Sequence, residues 1–119
     1  MEKQVIYKVA REFTPTPGVR SPKEGNFSGE EFLSKHLYPK MVQAIQEKFT
    51  LVIDLDGTAG YATSFLEAAF GGLIRGCEAD GLKAIDLNVA KKHLKLISHD
   101  DPYLEEEIEE YMQEAAVPA

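Results

Sequence analysis

Hydrophobic positions along the chain follow two different periods, and the changes between them predict alternating strands and helices. Residues 4–9 alternate between apolar and polar side chains, which predicts a first strand with one covered face. Residues 51–55 form a short apolar run typical of strands covered on both faces, and residues 94–98 form another. We expect residues 51–55 to be the central strand of the sheet.

Capping motifs mark the starts of two predicted helices. Ser28 and Glu31 have the spacing of a capping box, so a helix is predicted to begin at Ser28. Its apolar stripe continues beyond Pro39, which lacks a backbone donor and should bend or interrupt the helix. Ser64 and Glu67 have the same spacing ahead of a second apolar stripe. A second helix is therefore predicted after the central strand, with Ser64 as its cap.

Other segments complete the predicted pattern of elements. Gly71 and Gly72 lie inside the second helix, where each glycine costs about 1 kcal/mol relative to alanine, so another element should pack very close to them. Asp86 is predicted to cap a short helix, and a last amphipathic helix is predicted after residue 101. Residues 11–26 are rich in proline and glycine, and they either fold back as a hairpin partner or remain a loop.

The order of these elements, strand, helix, strand, helix, strand, helix, predicts a small α/β domain. We expect a mixed, mostly parallel sheet of about four strands packed with three to four helices. At 119 residues and 44% hydrophobic, the chain is long enough for one core. A single domain is therefore predicted over residues 1–119, with its core at about residues 3–115.

The charge of the chain narrows the functions that it can have. A net charge of -7 argues against direct binding to nucleic acid or to anionic lipid, because both carry dense negative charge. Cys77 is the single cysteine, which excludes an internal disulfide, and no apolar run has the length of a membrane span. The spacing of metal ligands is not found among His36, His93 and His99, so we predict no metal site. We also predict no cofactor. Because the chain has a single cysteine and no apolar run of membrane-spanning length, we predict a cytoplasmic location.

The pentapeptide that begins at Asp54 allows a first functional hypothesis. Asp54-Leu55-Asp56-Gly57-Thr58 resembles the D-x-D-G-T motif of haloacid dehalogenase-type phosphatases, in which Asp54 would be the nucleophile and Asp56 the acid/base. The predicted helix follows too soon for the turn and flap of that family, so we favour both aspartates as caps of the strand end and loop. Arg20, in a Pro-Gly turn ahead of Asn26, either faces these two aspartates or is a solvated arginine of the loop.

The same region carries a second resemblance. Residues 54–66 resemble the STAS domain pattern, in which a hydrophobic strand ending in Asp-Leu leads across one turn to Asp-Ser-Ser-Gly-Leu at a helix start. Thr63 stands at the phosphoacceptor serine of the anti-sigma factor antagonists, and Ser64 at the serine after it. The chain resembles more closely the STAS-like family of unknown function found in prokaryotes and their phages. The segments that carry this closer resemblance are PGVR (17–20), NFSGEEF (26–32), DLDG (54–57) and SFLEAAFGGL (64–73).

The resemblance implies a non-enzymatic regulatory module that docks on another protein through the loop and helix near Tyr61. Tyr61, Thr63, Ser64 and Glu67 are therefore the candidate partner-binding or phosphoacceptor residues. The implied partners are a kinase-type ATPase or a transcription regulator, and a homodimer stays open. A small-anion or nucleotide-binding module is the first alternative, and a minimal phosphatase is the second.

Overall fold

The chain alternates strands and helices in the computed structural model, which describes residues 3–116. These residues contain three strands, five helices, the first of which is a single turn, and a short 3-10 helix at Glu78–Asp80. The strands are β1 (Gln4–Lys8), β2 (Thr50–Asp54) and β3 (Leu94–Ile97). The helices are α1 (Val9–Glu12), α2 (residues 29–47), α3 (residues 63–75), α4 (Leu87–His93) and α5 (Leu104–Ala116).

The three strands form one parallel sheet in the order β1-β2-β3. Gln4 pairs with Thr50 at one side of the central strand, and Leu51 pairs with Leu94 at the other. The prediction that residues 51–55 are central is therefore confirmed. The predicted number of about four strands is wrong, since the described residues form three, and the sheet is wholly parallel. The predicted three to four helices become five because the single-turn helix α1 follows β1 directly.

The segment that could have supplied a fourth strand is a loop that bonds to itself and to the start of α2. The Gly18 amide donates to the Phe27 carbonyl at 2.9 Å, and the Gly29 amide donates to the Val19 carbonyl at 2.8 Å. These hydrogen bonds pair backbone groups of the loop with each other and with the start of α2, and not with a strand of the sheet. Of the two predictions for residues 11–26, the loop is therefore confirmed for residues 13–26, whereas residues 11 and 12 belong to α1.

Helix α2 begins as predicted and contains one irregular turn. The Ser28 Oγ accepts a hydrogen bond from the Glu31 amide at 3.1 Å, so Ser28 is the cap. A π-helical turn, Leu33–Leu37, joins the first turn to the longer segment Tyr38–Glu47. Pro39 lies at the start of that segment and has no amide to donate to the preceding turn. The predicted interruption by Pro39 is thus a change of hydrogen-bonding register, after which the helix continues.

Helices α2 and α3 approach each other very closely at Gly72, as predicted, whereas the atoms nearest to Gly71 belong to Glu67 and Arg75 of α3 itself. A Cβ added at Gly72 would lie 2.7 Å from the Leu33 Cδ2, and a Cβ added at Gly29 would collide with the Phe65 carbonyl oxygen. Helix α3 also contains a π turn, Glu67–Gly71, between Thr63–Leu66 and Gly72–Arg75. This close packing fixes α3 against α2, so the start of α3 is held by the core.

The core lies between one face of the sheet and the helices. Val5 and Tyr7 of β1, Leu51 and Ile53 of β2, and Leu94 and Leu96 of β3 point toward it. The largest buried side chains of the helices are Phe32, Leu37, Met41, Phe65, Leu66, Phe70, Leu73 and Ile108. Within residues 3–116, none of the helices combines the length and the apolar composition that crossing a membrane requires.

Candidate functional site

The two aspartates at the carboxyl end of β2 bind backbone amides of neighbouring loops. The Asp54 Oδ1 accepts from the Asp56 amide at 3.0 Å, which closes a short turn after the strand. The Asp56 Oδ1 accepts from the amides of His99 at 2.7 Å and Asp100 at 2.8 Å. In return, the Asp100 Oδ2 accepts from the Gly57 amide at 2.9 Å. The prediction that Asp54 and Asp56 cap the strand end and the loop is therefore confirmed.

The carboxylate of Asp56 is held in its charged form by these contacts. The amide of Asp100 lowers the pKa of Asp56 below its ordinary value, burial opposes this in part, and the amide and ring of His99 lower the pKa further. The His99 Nδ1 lies 3.1 Å from the Asp56 Oδ2, although the imidazole is largely exposed. Asp56 thus joins the loop after β2 to the loop after β3.

Tyr61 anchors the loop that leads from β2 to α3. Its hydroxyl donates to the Leu55 carbonyl at 2.9 Å, and its ring lies 5.8 Å from the Phe65 ring. Burial raises the pKa of Tyr61, so the hydroxyl stays protonated and keeps donating. The loop beside it forms one wall of a cleft of about 240 Å³, with Ser98 and Asp101 on the other wall. The Ser98 hydroxyl donates to the Asp101 carbonyl.

The start of α3 differs from the prediction made from its capping motif. Ala62 is the N-cap, with extended backbone angles and no side chain to bond the first amides. Thr63 is the first helical residue and is exposed, while Ser64 is the second and is half-buried. The prediction that Ser64 caps this helix is wrong, because the N-cap is Ala62, two residues earlier, and Ser64 already lies inside the helix.

Glu67 joins α3 to the loop before α2 and to the C-terminal turn of α3. Its carboxylate lies 2.7 Å from the Arg20 guanidinium and 2.7 Å from the Arg75 guanidinium. Hydrogen bonding to Arg75, and then to Arg20, lowers the pKa of Glu67. Arg20 therefore pairs with Glu67, a contact that neither of the two interpretations of Arg20 included. Asn26 is exposed in the same loop.

The structure thus divides the predicted residues into two groups. Asp54, Asp56 and Tyr61 lie at the end of the sheet, whereas Arg20 of the loop before α2 pairs with Glu67 of α3. Thr63 and Ser64 lie between the groups at the helix start.

The prediction missed three contributors to these groups: His99, Asp100 and Arg75. No local spacing marks His99 or Asp100, because they meet Asp56 across more than 40 residues. Arg75 follows Glu67 by eight residues, and a π turn separates them, so the usual helical pairing distance does not mark it. Within residues 3–116, no three His, Cys, Asp or Glu side chains are arranged to hold a metal ion together.

A comparison with known families identifies the class of this domain. The model of a family described as a STAS-like domain of unknown function (DUF4325) matches residues 28–104. Because the match spans more than half of the 119 residues, the chain belongs to this STAS-like family. The matched segment includes α2, the central strand and α3, and the predicted resemblance is confirmed. Neither the curated proteins nor the solved structures contain a match.

Proposed function

We propose that this STAS-like domain is a non-enzymatic regulatory module that binds another protein at the start of α3. The α3-start surface consists of residues 61–64 together with Glu67. The observation that carries the proposal is the exposed Thr63 at a helix start without a side-chain cap. Free amide donors and a hydroxyl are thereby offered to a partner at the carboxyl end of the central strand.

The rigidity of this surface supports the proposal. The Tyr61 hydroxyl ties the loop to Leu55, and the close contacts of Gly29 and Gly72 fix α3 against α2. A partner that binds here does not have to order a mobile loop, which lowers the entropic cost of association. The surface is therefore already organised for docking.

The charge arrangement supports a phosphate-controlled form of this function. Thr63 precedes Glu67 by four residues and Ser64 precedes it by three, so both share a helix face with Glu67. A phosphate on either hydroxyl would compete with Glu67 for Arg20, whose side chain is 41% exposed. In this proposal the partner is a kinase-type ATPase or a transcription regulator, as the resemblance to anti-sigma factor antagonists implies.

The two alternatives, a minimal phosphatase and a small-anion or nucleotide-binding module, receive less support from the described contacts. Both oxygens of Asp56 and one oxygen of Asp54 already contact groups of the protein, so neither aspartate is free in the way that a phosphatase nucleophile and acid/base are. The cleft beside Tyr61 presents the carboxylates of Asp100 and Asp101, which disfavours a small anion or a nucleotide phosphate.

Affinity capture with mass spectrometry is the first test, with the purified domain as bait. The affinity of the captured partner is then measured for the wild type, Thr63→Glu and the control Gln113→Glu, which adds equal charge at an exposed position on α5. We expect Thr63→Glu to change affinity by about 10-fold or more and the control by less than about 2-fold. Equal affinity of all three proteins would contradict the proposed surface. Magnesium-dependent hydrolysis of p-nitrophenyl phosphate, lost in Asp54→Asn, would overturn the non-enzymatic function.

A further inference from the structure

Strand β3 leaves one of its edges without a partner in the described part of the chain. The Ile97 carbonyl accepts from the Leu55 amide at 2.8 Å, so the peptide groups of Ile97 face β2. Successive residues of a parallel strand turn their amide and carbonyl groups to opposite sides. The amide and carbonyl of Leu96 therefore point to the outer edge, where no other segment of residues 3–116 bonds to them.

A groove of about 260 Å³ lies beside this edge. Leu94 and Leu96 of β3 and Met112 of α5 form its apolar part. Glu105 and Glu109 line the side that α5 provides, and Lys91 of α4 contacts Glu109 at 2.7 Å. Unpaired strand groups and an apolar groove thus lie together, which is the arrangement that binds an added strand in β-augmentation.

The charges around the groove indicate the chemistry of the added segment. Lys95 also lines the groove, but the alternation along β3 turns its side chain to the face opposite Leu94 and Leu96, away from α5. Glu109 is paired with Lys91, whereas Glu105 is exposed and forms no ion pair with any of residues 3–116. An extended segment with lysine or arginine facing α5 would place a positive charge near Glu105 while its backbone bonds to Leu96. Long basic side chains can also cover Met112 with their methylene groups.

A second copy of this chain fits the edge less well. Two β3 edges related by a two-fold axis would bring two α5 helices to the same side of the joined sheet. Glu105, Glu106 and Glu109 of each copy would then approach those of the other, and each chain carries a net charge of -7. Repulsion between like charges therefore favours a basic partner over self-association.

We propose that the outer edge of β3 is a second binding site, which accepts an extended lysine- or arginine-bearing segment of a partner protein as a fourth strand. The site is separate from the α3-start surface, because none of its residues belongs to residues 61–64 or to Glu67. This proposal can therefore be tested independently of the function proposed above.

The test is a titration of the ¹⁵N-labelled protein with a capped seven-residue peptide of alternating lysine and valine, followed by nuclear magnetic resonance up to about 2 mM peptide. We expect the Leu96 amide to shift and its hydrogen exchange to slow. The Ile6 amide, on the opposite outer edge of the sheet, serves as the internal control and should not change. The same peptide with every backbone amide N-methylated keeps its charges but loses its donors, and it should not bind.

Two charge reversals locate the basic side chains of the peptide. Glu105→Lys should weaken binding at least about 5-fold, whereas Glu106→Lys, an equal change of charge on α5 outside the groove, should change it less than about 2-fold.

Four results would each overturn the proposal. These are no binding at the highest peptide concentration, equal binding of the N-methylated peptide, equal effects of the two charge reversals, and shifts centred on Ile6. Protection of the Leu96 amide that rises with protein concentration in the absence of peptide would show that a second copy occupies the edge. That result would also overturn the proposal.

Discussion

Asp56 should stabilise the fold by joining the two loops at the carboxyl end of the sheet. Its carboxylate accepts amides of His99 and Asp100 at 2.7 and 2.8 Å, and 23% of its side chain is exposed. Hydrogen bonds to a charged group contribute about 1.5–3 kcal/mol each in favourable settings, and water replaces part of that at an accessible site. We expect Asp56→Ala to lower the free energy of unfolding by about 1–2 kcal/mol, and Asp56→Asn by about half as much.

This stabilisation should depend on pH in a defined direction. The amides of Asp100 and His99 lower the pKa of Asp56 in the folded protein, so the folded state binds a proton less readily than the unfolded chain does. The contribution is therefore fully present above about pH 4 and is lost as the pH falls through the lowered pKa. The difference in stability between the wild type and Asp56→Asn should shrink as the pH falls from 7 toward 3.

Urea unfolding followed by circular dichroism measures both effects. At pH 7 the midpoint of Asp56→Ala should lie about 0.5–1 M below that of the wild type, for slopes of about 2 kcal/mol/M. Glu106→Gln is the control, because it removes a negative charge from an exposed side chain that forms no hydrogen bond or ion pair within residues 3–116. Equal midpoints for Asp56→Ala and the wild type at pH 7 would refute the reasoning. A difference in unfolding free energy between the wild type and Asp56→Asn that is the same at pH 7 and near pH 3 would refute the charge argument alone.

Three further substitutions test the positions described above. Gly29→Ala should lower the free energy of unfolding by about 1–3 kcal/mol, because its methyl would collide with the Phe65 carbonyl, whereas Gly25→Ala, with the Val19 Cγ2 at 3.4 Å, should change it little. Tyr61→Phe should cost about 1 kcal/mol and speed hydrogen exchange in residues 57–62, since the bond to Leu55 is lost. Ser64→Ala should stay within about 0.5 kcal/mol of the wild type, because Ser64 is not the cap, and a loss of 1 kcal/mol in thermal unfolding would contradict that assignment.

Sequence reasoning succeeded where a feature depends on neighbouring residues. The Ser28 cap forms within one helical turn, and the turn that Asp54 closes spans two residues. The capping motif at Ser64 has the same spacing as the one at Ser28 and nevertheless fails. Ala62 takes the extended backbone angles of the N-cap, so Ser64 already lies inside the first turn, and the local spacing does not determine where the helix begins. The Glu67 carboxylate pairs with Arg20 and Arg75, which are distant in the sequence or beyond the next turn.

The absence of a fourth strand and the contacts of Asp56 could not be predicted, because both depend on residues that are distant in the sequence. Residues 11–26 have the composition of either a hairpin or a loop, and bonds such as the one from Gly29 to Val19 decide the outcome only once α2 is in place. His99 and Asp100 carry no pattern that points to Asp56, since the parallel sheet alone brings their loops together.

The parallel order of the three strands also determines how the chain has to fold. Each residue of β1 pairs with a residue 46 positions later, and each residue of β2 paired with β3 meets one 43 positions later. No strand pair can therefore form as a local hairpin, and every pairing requires the closure of a long loop before its hydrogen bonds form. The helical segments can form first, and the sheet should assemble late and comparatively slowly around β2.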